Sequence, residues 1–299
     1  MYELIVIGAG PAGITAAVYA ARKKMSFLVI TKDVGGQAAW SGDVENYTGY
    51  QFITGPELAA EFEQHMKKFS IDLREGEEVT AVEKDGAGFV VRSPQGEYRA
   101  HSLIIASGKR PRRLNVPGEE EFRNKGVTYC ATCDGPLFSG KRVAVIGGGN
   151  SALDAALQLV KIAEHIYVIN ISGGLGGDEV MREKVEANDK VTVMNESRVR
   201  GIEGETFVTS LTVERAGKAE RIVAEGVFVE IGLIPNSEFI ALVAKNELGE
   251  IVVNNRNETD VPGIFAAGDV TDVPEKQIII AAGEGSKATL GAFRYLAGL

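Results

Sequence analysis

The chain has 299 residues, 44% of them hydrophobic, which suffices for a sizeable core and about two domains. Its formal net charge of −9, with no basic run, argues against nucleic acid or an anionic membrane as partner. No apolar run approaches the roughly 20 residues of a membrane span, and Met1–Ile7 leads straight into a strand without a basic leader, so a cytoplasmic protein is expected.

Leu4-Ile5-Val6-Ile7 reads as a buried parallel strand. Gly8-Ala9-Gly10-Pro11-Ala12-Gly13 follows and matches GxGxxG, then an Ala-rich helix to about Lys24 and a second strand from Phe27 to Ile30. In that strand–turn–helix–strand context the glycines let the backbone approach a pyrophosphate seated on the helix N-terminus. The strand end reads Thr31-Lys32, so Asp33 is the nearest acid for a ribose. Gly35-Gly36-Gln37 and Val44–Gly49 make a long polar loop carrying the single Trp, Trp40. Thr54 caps a predicted helix to about Phe69, whose Leu58, Phe62, Met66 and Phe69 form a core stripe. A β-meander is expected over Val79–Val82, Phe89–Arg92 and Glu97–Arg99, then a separate buried strand from Ser102 to Gly108.

Lys109–Pro117 is the first candidate linker. Cys130-Ala131-Thr132-Cys133-Asp134 follows and holds the only two cysteines. A zinc site would need further ligands, and His65, His101 and His165 are scattered, so no metal is expected. A structural disulfide closing so short a loop would add little stability. A Cys-x-x-Cys can instead close a small disulfide ring, one thiolate attacking a partner's disulfide and the other resolving it.

A second fingerprint comes next. Arg142–Ile146 is a predicted strand, Gly147-Gly148-Gly149-Asn150-Ser151-Ala152 a GxGxxA turn, Ala152–Lys161 a helix and Ile166–Ile169 a strand. LIVIGAGPAG at 4–13 thus recurs as VAVIGGGNSA at 143–152, and SLIIASG at 102–108 as VFVEIG at 227–232. Two dinucleotide units, one bearing a dithiol, imply electron flow from one nucleotide to another and on to sulfur. Gly263–Asp269 ends a strand in Gly268-Asp269, and Lys276-Gln277-Ile278 leads into a helix ending near Leu296.

The stretches GVTYCATCDGPLFSGKRVAVIGGGNSA, GGQ with VENYTG, GIFAAGDVT and KQIIIAAGEGSKA, in this order, cover most landmarks of the chain. Together they resemble the low-molecular-weight thioredoxin reductases, and more closely the reductase portion of the alkyl hydroperoxide reductase flavoprotein subunit. The resemblance implies an α/β fold of two Rossmann-like domains, the second inserted into the first. A discontinuous FAD domain would span 1–113 and 246–299, and a nicotinamide-nucleotide-like domain with the dithiol 114–245. It also implies a homodimer. That subunit carries thioredoxin-like domains ahead of its flavin domain, whereas this chain begins at the flavin strand, so a separate thioredoxin- or glutaredoxin-like protein is expected to receive the electrons.

Carried over by position, Gly8, Gly10, Ala12 and Gly13 would hold the FAD pyrophosphate. Gly36, Gln37 and Asn46 would line the flavin side, flanked by Ser107 and Gly108. Gly268 and Asp269 would bind the ribityl chain, and Lys276, Gln277 and Ile278 would reach the isoalloxazine. Cys133 would face the flavin, Cys130 would attack the protein substrate, and Asp134 would handle the thiol proton. Gly147, Gly149, Asn150, Ser151, Ala152 and Asn170 are the candidate nicotinamide-nucleotide contacts.

One departure matters. NADPH-dependent members of the family carry a His-Arg-Arg run and a further Arg after the second strand of the inserted domain. Here those positions are Asn170, Ile171, Ser172 and Gly176. Without a guanidinium fork a 2′-phosphate lacks its partner, so NADH is the expected donor and NADPH is disfavoured. Two alternatives stand beside this: the same reductase fed by a carrier such as ferredoxin, and a flavin-bound redox sensor that does not turn over.

Overall fold

The computed structural model describes the chain apart from Ser41, Gly42, Glu45, Ala87 and Leu299, and at Trp40, Asp43, Thr132 and Cys133 it describes the backbone alone. The chain divides into two compact units, Met1–Arg110 with Ile234–Leu299, and Pro111–Leu233.

In the first unit, β1 (Tyr2–Ala9) runs into α1 (Pro11–Arg22) and then β2 (Phe27–Val34). Leu4, Ile5 and Val6 have no exposed surface, because a parallel strand covered on both faces buries every side chain. Each such burial contributes about 1.5–3 kcal/mol relative to exposure. β1 pairs in parallel with β2 on one side and with Gly96–Ile105 on the other. β2 in turn pairs with Asp72–Glu75.

The expected third meander strand and the buried strand after it are one ten-residue strand, Gly96–Ile105. Its far edge serves two partners. Gly88–Ser93 pairs antiparallel along residues 96–100, and Ile264–Ala266 pairs in parallel along 103–105. Alternation suited to a meander therefore gives way mid-strand to a continuous apolar run.

The predicted capping of α2 (Gly55–Lys67) takes the form of a capping box, Thr54 receiving the Glu57 amide and Glu57 receiving that of Thr54. Leu58 and Met66 are buried, with Phe62 and Phe69 packed beside them.

In the second unit α3 (Ala131–Asp134), α4 (Asn150–Val160) and α5 (Glu179–Glu186) follow one another along the chain. The sheet is all parallel, in the order Val127–Thr128, Gly226–Val229, Arg142–Ile146, His165–Ile169, Val191–Met194. Leu153, Ala156 and Leu159 of α4 pack into one core cluster. A three-stranded antiparallel sheet, Ser197–Gly204, Val208–Arg215 and Lys218–Val223, contributes Val199, Leu211 and Ile222 to the other.

The architecture is therefore α/β with two Rossmann-like units, the second inserted into the first. Its limits differ from those expected. The chain leaves the first unit after Arg110 and returns at Ile234, not at 246. Ile240 and Val243 account for the earlier return, since both are buried in the first unit's core. The helix closing the chain is α6 (Ile278–Ala297). It lies close against α1 through small residues, with the Thr289 hydroxyl donating to the Ala16 carbonyl at 3.2 Å.

Candidate functional site

Two turns of the same design join strand to helix, one in each unit. Gly8 has φ +103° and Gly147 φ +139°, and a Cβ on either would collide with the backbone carbonyl of a neighbouring strand, Ala106 or Glu230. The helix after each turn starts at a glycine, Gly10 or Gly149, with no side-chain cap. A Cβ at either of these would meet nothing within 4 Å. By contrast α2 has its capping box, and α5 is capped by Asp178. The first-turn amides of α1 have no side-chain cap and suit an anion, whereas the start of α4 is approached by Gly177, on which a Cβ would lie 3.0 Å from the Asn150 amide nitrogen. Pro11 at the first position of α1 has no amide to lose.

Around the first turn the structure gathers most of the residues assigned to FAD. A Cβ on Gly36 would lie 3.2 Å from the Gly10 Cα, and one on Gly268 3.0 Å from the Ala12 Cβ. Gly13 packs so tightly on the Gly8 carbonyl that no larger residue fits. The Gln37 amide donates to Asp269 Oδ2 at 3.4 Å. Burial raises the Asp269 carboxyl above its usual range, against the pull of Lys276, Lys109 and Gln37.

Asn46 Nδ2 donates to Gln277 Oε1 at 3.1 Å, and Ile278 packs beside Val44, Ile53 and Leu58. Lys276 donates to the Thr271 carbonyl and lies 3.1 Å from Glu250. Ser107 donates to the Asn236 carbonyl at 2.6 Å, and the Asn236 amide N–H donates to the Gly108 carbonyl at 2.9 Å. Asp33 stands at the end of β2 with its side chain exposed. Thr31 does the local work there, its hydroxyl accepting from the Ala9 amide at 3.1 Å.

Sequence reasoning missed two acids. Glu284 on α6 is 5% exposed and accepts the Gly268 amide at 2.7 Å, holding the Gly268-Asp269 turn. Glu250 accepts from Lys109 at 2.7 Å as well as from Lys276 and Asn246. Burial works to raise the Glu250 carboxyl, but those three donors hold it down at about 2.

In the second unit Cys130 is disulfide-bonded. The one other cysteine of the sequence is Cys133, whose side chain lies outside the described residues, as do the side chain of Trp40 and all of Glu45. The Thr128 hydroxyl accepts the Cys130 amide at 3.2 Å and donates to Asp134 Oδ2. Asp134 also returns its own amide to the Cys130 carbonyl at 3.2 Å, so one short turn ties Asp134 to Cys130. Ahead of the cysteine, the Tyr129 hydroxyl donates to Glu119 at 2.8 Å. Burial, then Glu119, push the Tyr129 phenol up to about 12.

The candidate nicotinamide contacts fare unevenly. Asn170 is 4% exposed, and its amide donates to the Ser172 and Gly174 carbonyls and to Asn195, at 3.3, 2.8 and 3.1 Å. Asn150 Oδ1 accepts the Asp178 amide at 2.7 Å, and the Gly176 amide donates to the Gly148 carbonyl at 2.7 Å. Loop 172–178 thus bonds to the second glycine turn itself, anchored by buried Leu175. Ser151 is exposed at the start of α4 and Ala152 is buried beneath it. Ile171 is 69% exposed and, with Glu196, Arg198 and Glu214, lines an open cavity of about 270 Å³.

Among the described residues no helix is long and apolar enough to cross a membrane. Over 99% of its length the chain is 43% identical to an alkyl hydroperoxide reductase component from Xanthomonas campestris pv. phaseoli. It is 42% identical, again over 99%, to an NADH dehydrogenase of Bacillus subtilis (strain 168). It spans only 57% and 58% of those two proteins. A crystal structure of Lactococcus lactis thioredoxin reductase in its FR conformation is 33% identical, with both chains covered in full and a TM-score of 0.89. The family model for pyridine nucleotide-disulphide oxidoreductases matches residues 2–285. With two glycine turns at the strand ends and a disulfide at Cys130, the chain belongs to the pyridine nucleotide-disulphide oxidoreductase family.

Proposed function

We propose that this flavoprotein disulfide oxidoreductase passes electrons from NADH through FAD and the Cys130/Cys133 dithiol to a small thioredoxin- or glutaredoxin-like protein. The observation that carries the reading is Cys130, disulfide-bonded and tied through Thr128 to the carboxylate of Asp134. Reduction of a partner's disulfide needs a nucleophilic sulfur and a proton-handling group in reach of it.

The first unit fits FAD. The uncapped first turn of α1 would receive the pyrophosphate, with Gly8, Gly10, Ala12 and Gly13 giving close approach. Asp269 and Gln37 would hold the ribityl side, and Gly36, Asn46, Ser107, Gly108, Lys276, Gln277 and Ile278 would border the ring. Bound FAD supplies two-electron transfer between donor and disulfide. With FAD bound, Cys133 would be the sulfur that receives electrons from it. Cys130, as thiolate, attacks the partner's disulfide to form a mixed disulfide, which Cys133 resolves. The partner leaves as a dithiol and the Cys130–Cys133 bond re-forms. Asp134 gives and takes the thiol proton. We also infer a cytoplasmic homodimer, by resemblance to the family.

A second reading keeps this chemistry but replaces NADH with a ferredoxin-type carrier. It is favoured by loop 172–178, whose bonds occupy Gly148 and Asn150, and by Asn170, which is spent on the same loop. Anaerobic titration of the flavin with NADH, NADPH and reduced ferredoxin separates the readings. NADH is expected to bleach the flavin at the lowest concentration. Bleaching by ferredoxin alone would select the second reading. Absence of releasable FAD after reconstitution would defeat both.

A further inference from the structure

Glu119 is 3% exposed, a buried acid of the second unit that the chemistry above does not use. A carboxylate is costly to bury unless donors meet it. Its Oε1 accepts the Leu114 amide at 2.8 Å and the Tyr129 hydroxyl at 2.8 Å, and its Oε2 accepts the Asn115 amide at 2.6 Å. Leu114 and Asn115 lie just past Pro111, where the chain enters the unit. Tyr129 is the residue before Cys130. Glu119 therefore fastens the entry of the unit to the backbone that carries the disulfide.

The segment around Cys130 is tied down at each step. The Tyr129 ring packs with Leu114 and Val116 against the core of Phe122 and Val127. One residue earlier, the Thr128 hydroxyl accepts the Cys130 amide at 3.2 Å and donates to Asp134. The Cys130 carbonyl accepts the Asp134 amide at 3.2 Å. The amide and carbonyl of Cys130 are thus engaged within its own turn, and Tyr129 links that turn to the rest of the unit. Burial and Glu119 hold the Tyr129 phenol at about 12, so it stays a donor at neutral pH.

We propose that Glu119 is a positioning residue for the Cys130 disulfide, holding Cys130 through Tyr129 in the arrangement from which its sulfur closes the ring. This rests on the redox role proposed above for the dithiol. In the disulfide the S–S bond itself restrains the two cysteines, with or without Glu119. The open dithiol has no such bond, and there the Glu119–Tyr129 contact keeps Cys130 in reach of its partner sulfur. Loss of the contact gives the dithiol a freedom that the disulfide cannot take up, so the equilibrium moves toward the dithiol. Freeing part of one residue's backbone corresponds to about a threefold to tenfold shift.

The test is an anaerobic equilibrium of the whole flavoprotein with dithiothreitol at neutral pH, with thiols trapped by alkylation and counted by mass. Dithiothreitol gives up two electrons and two protons and closes to its own disulfide, while the Cys130–Cys133 bond opens to two thiols. No nucleotide donor or partner protein enters the readout. Tyr129→Phe keeps the ring and loses only the hydroxyl, and should favour the dithiol by the factor just given. Glu119→Gln has one oxygen where the carboxylate has two, so it cannot keep all three donors. It should shift the equilibrium the same way alone and add nothing further in the Tyr129→Phe protein. Tyr98→Phe is the control, since it removes a hydroxyl that donates at 3.1 Å to Glu77, a buried acid of the first unit. It should lower thermal stability without moving the equilibrium.

An equilibrium in Tyr129→Phe equal to that of the wild type overturns the proposal. So does an equal movement in Tyr98→Phe, or a full further shift from Glu119→Gln in the Tyr129→Phe protein. If Glu119→Gln fails to fold, the comparison of Tyr129→Phe with Tyr98→Phe decides by itself. Partner reduction absent from the wild type, with the equilibrium shifted as stated, would defeat the reductase reading and leave the positioning role standing.

Discussion

Arginine at both Ile171 and Ser172 should convert the donor preference. A 2′-phosphate carries about two negative charges, and a hydrogen bond to a charged group contributes roughly 1.5–3 kcal/mol. Ile171 is 69% exposed, so solvent screening argues for the low end. Two guanidiniums then give about 3 kcal/mol, which is roughly a 150-fold gain in NADPH affinity at about 1.4 kcal/mol per tenfold. The surroundings explain why the wild type should disfavour the phosphate. Ile171 shares its cavity with Glu196 and Glu214 against one cation, Arg198, and Glu214 is engaged at 2.9 Å by Arg200. NADH has no 2′-phosphate, so its reaction should change little. Stopped-flow flavin reduction over a range of NADH and NADPH concentrations reads both constants. The reasoning is refuted if the wild type is reduced faster by NADPH, or if the double variant leaves the NADPH-to-NADH ratio within about threefold of the wild type.

The remaining predictions concern the dithiol, the buried acid and the crossings between units. Cys133→Ser should block electron transfer from flavin to sulfur, and Cys130→Ser should abolish partner reduction while FAD content is unchanged; normal turnover by Cys130→Ser, in an assay of partner thiols, would reverse the roles. Glu250 sits at about 2 against an ordinary 4.5, a depressed carboxyl, so its stabilisation is complete above about pH 4.5 and fades as pH falls through about 2. That shift corresponds to about 3 kcal/mol, and Glu250→Gln should flatten this acid limb in denaturant melts, whereas an identical limb would remove Glu250 from it. If the two cysteines on the inserted unit serve flavin and partner in turn, as proposed, a rotation about the crossings at 110/111 and 233/234 is expected, the second of them ahead of the return at 246 read from sequence. A crosslink between the units that spares flavin reduction should stop partner reduction, and full turnover in the crosslinked protein would discount the rotation.

The backbone devices were legible because they are local. A glycine that must adopt φ +103° beside a carbonyl leaves its mark in the sequence, and the apolar runs before it announce buried parallel strands. The capping box at Thr54 and Glu57 is legible for the same reason. Long-range polar partnerships were not. Glu250 pairs with Lys109 from 141 positions away, and nothing near either residue signals it. The return to the first unit was misplaced because Ile240 and Val243 sit in a loop with no period, and only the fold shows which core they enter.

The two turns share a backbone and differ in what reaches them. At the first, the neighbours are Gly36, Ala12 and Gly268, small residues that leave the α1 amides open. At the second, the protein's own loop has arrived, with Gly176 on the Gly148 carbonyl and Asp178 on Asn150. A nucleotide that needs those positions must displace two hydrogen bonds, each contributing about 0.5–1.5 kcal/mol net. If both break, about 2 kcal/mol is lost, which lowers apparent affinity roughly thirtyfold before any contact to the nucleotide is counted. The glycines of the loop, at 173, 174, 176 and 177, add the entropy of ordering it anew. On the proposed reading the missing arginines would set the preference between NADH and NADPH, and the loop would set how well either binds. Substituting Asn150 with Ala frees the Asp178 amide and should strengthen, in a calorimetric titration, whichever nucleotide the second unit accepts. Weaker binding would instead make Asn150 a ligand in its own right and refute the loop as the brake.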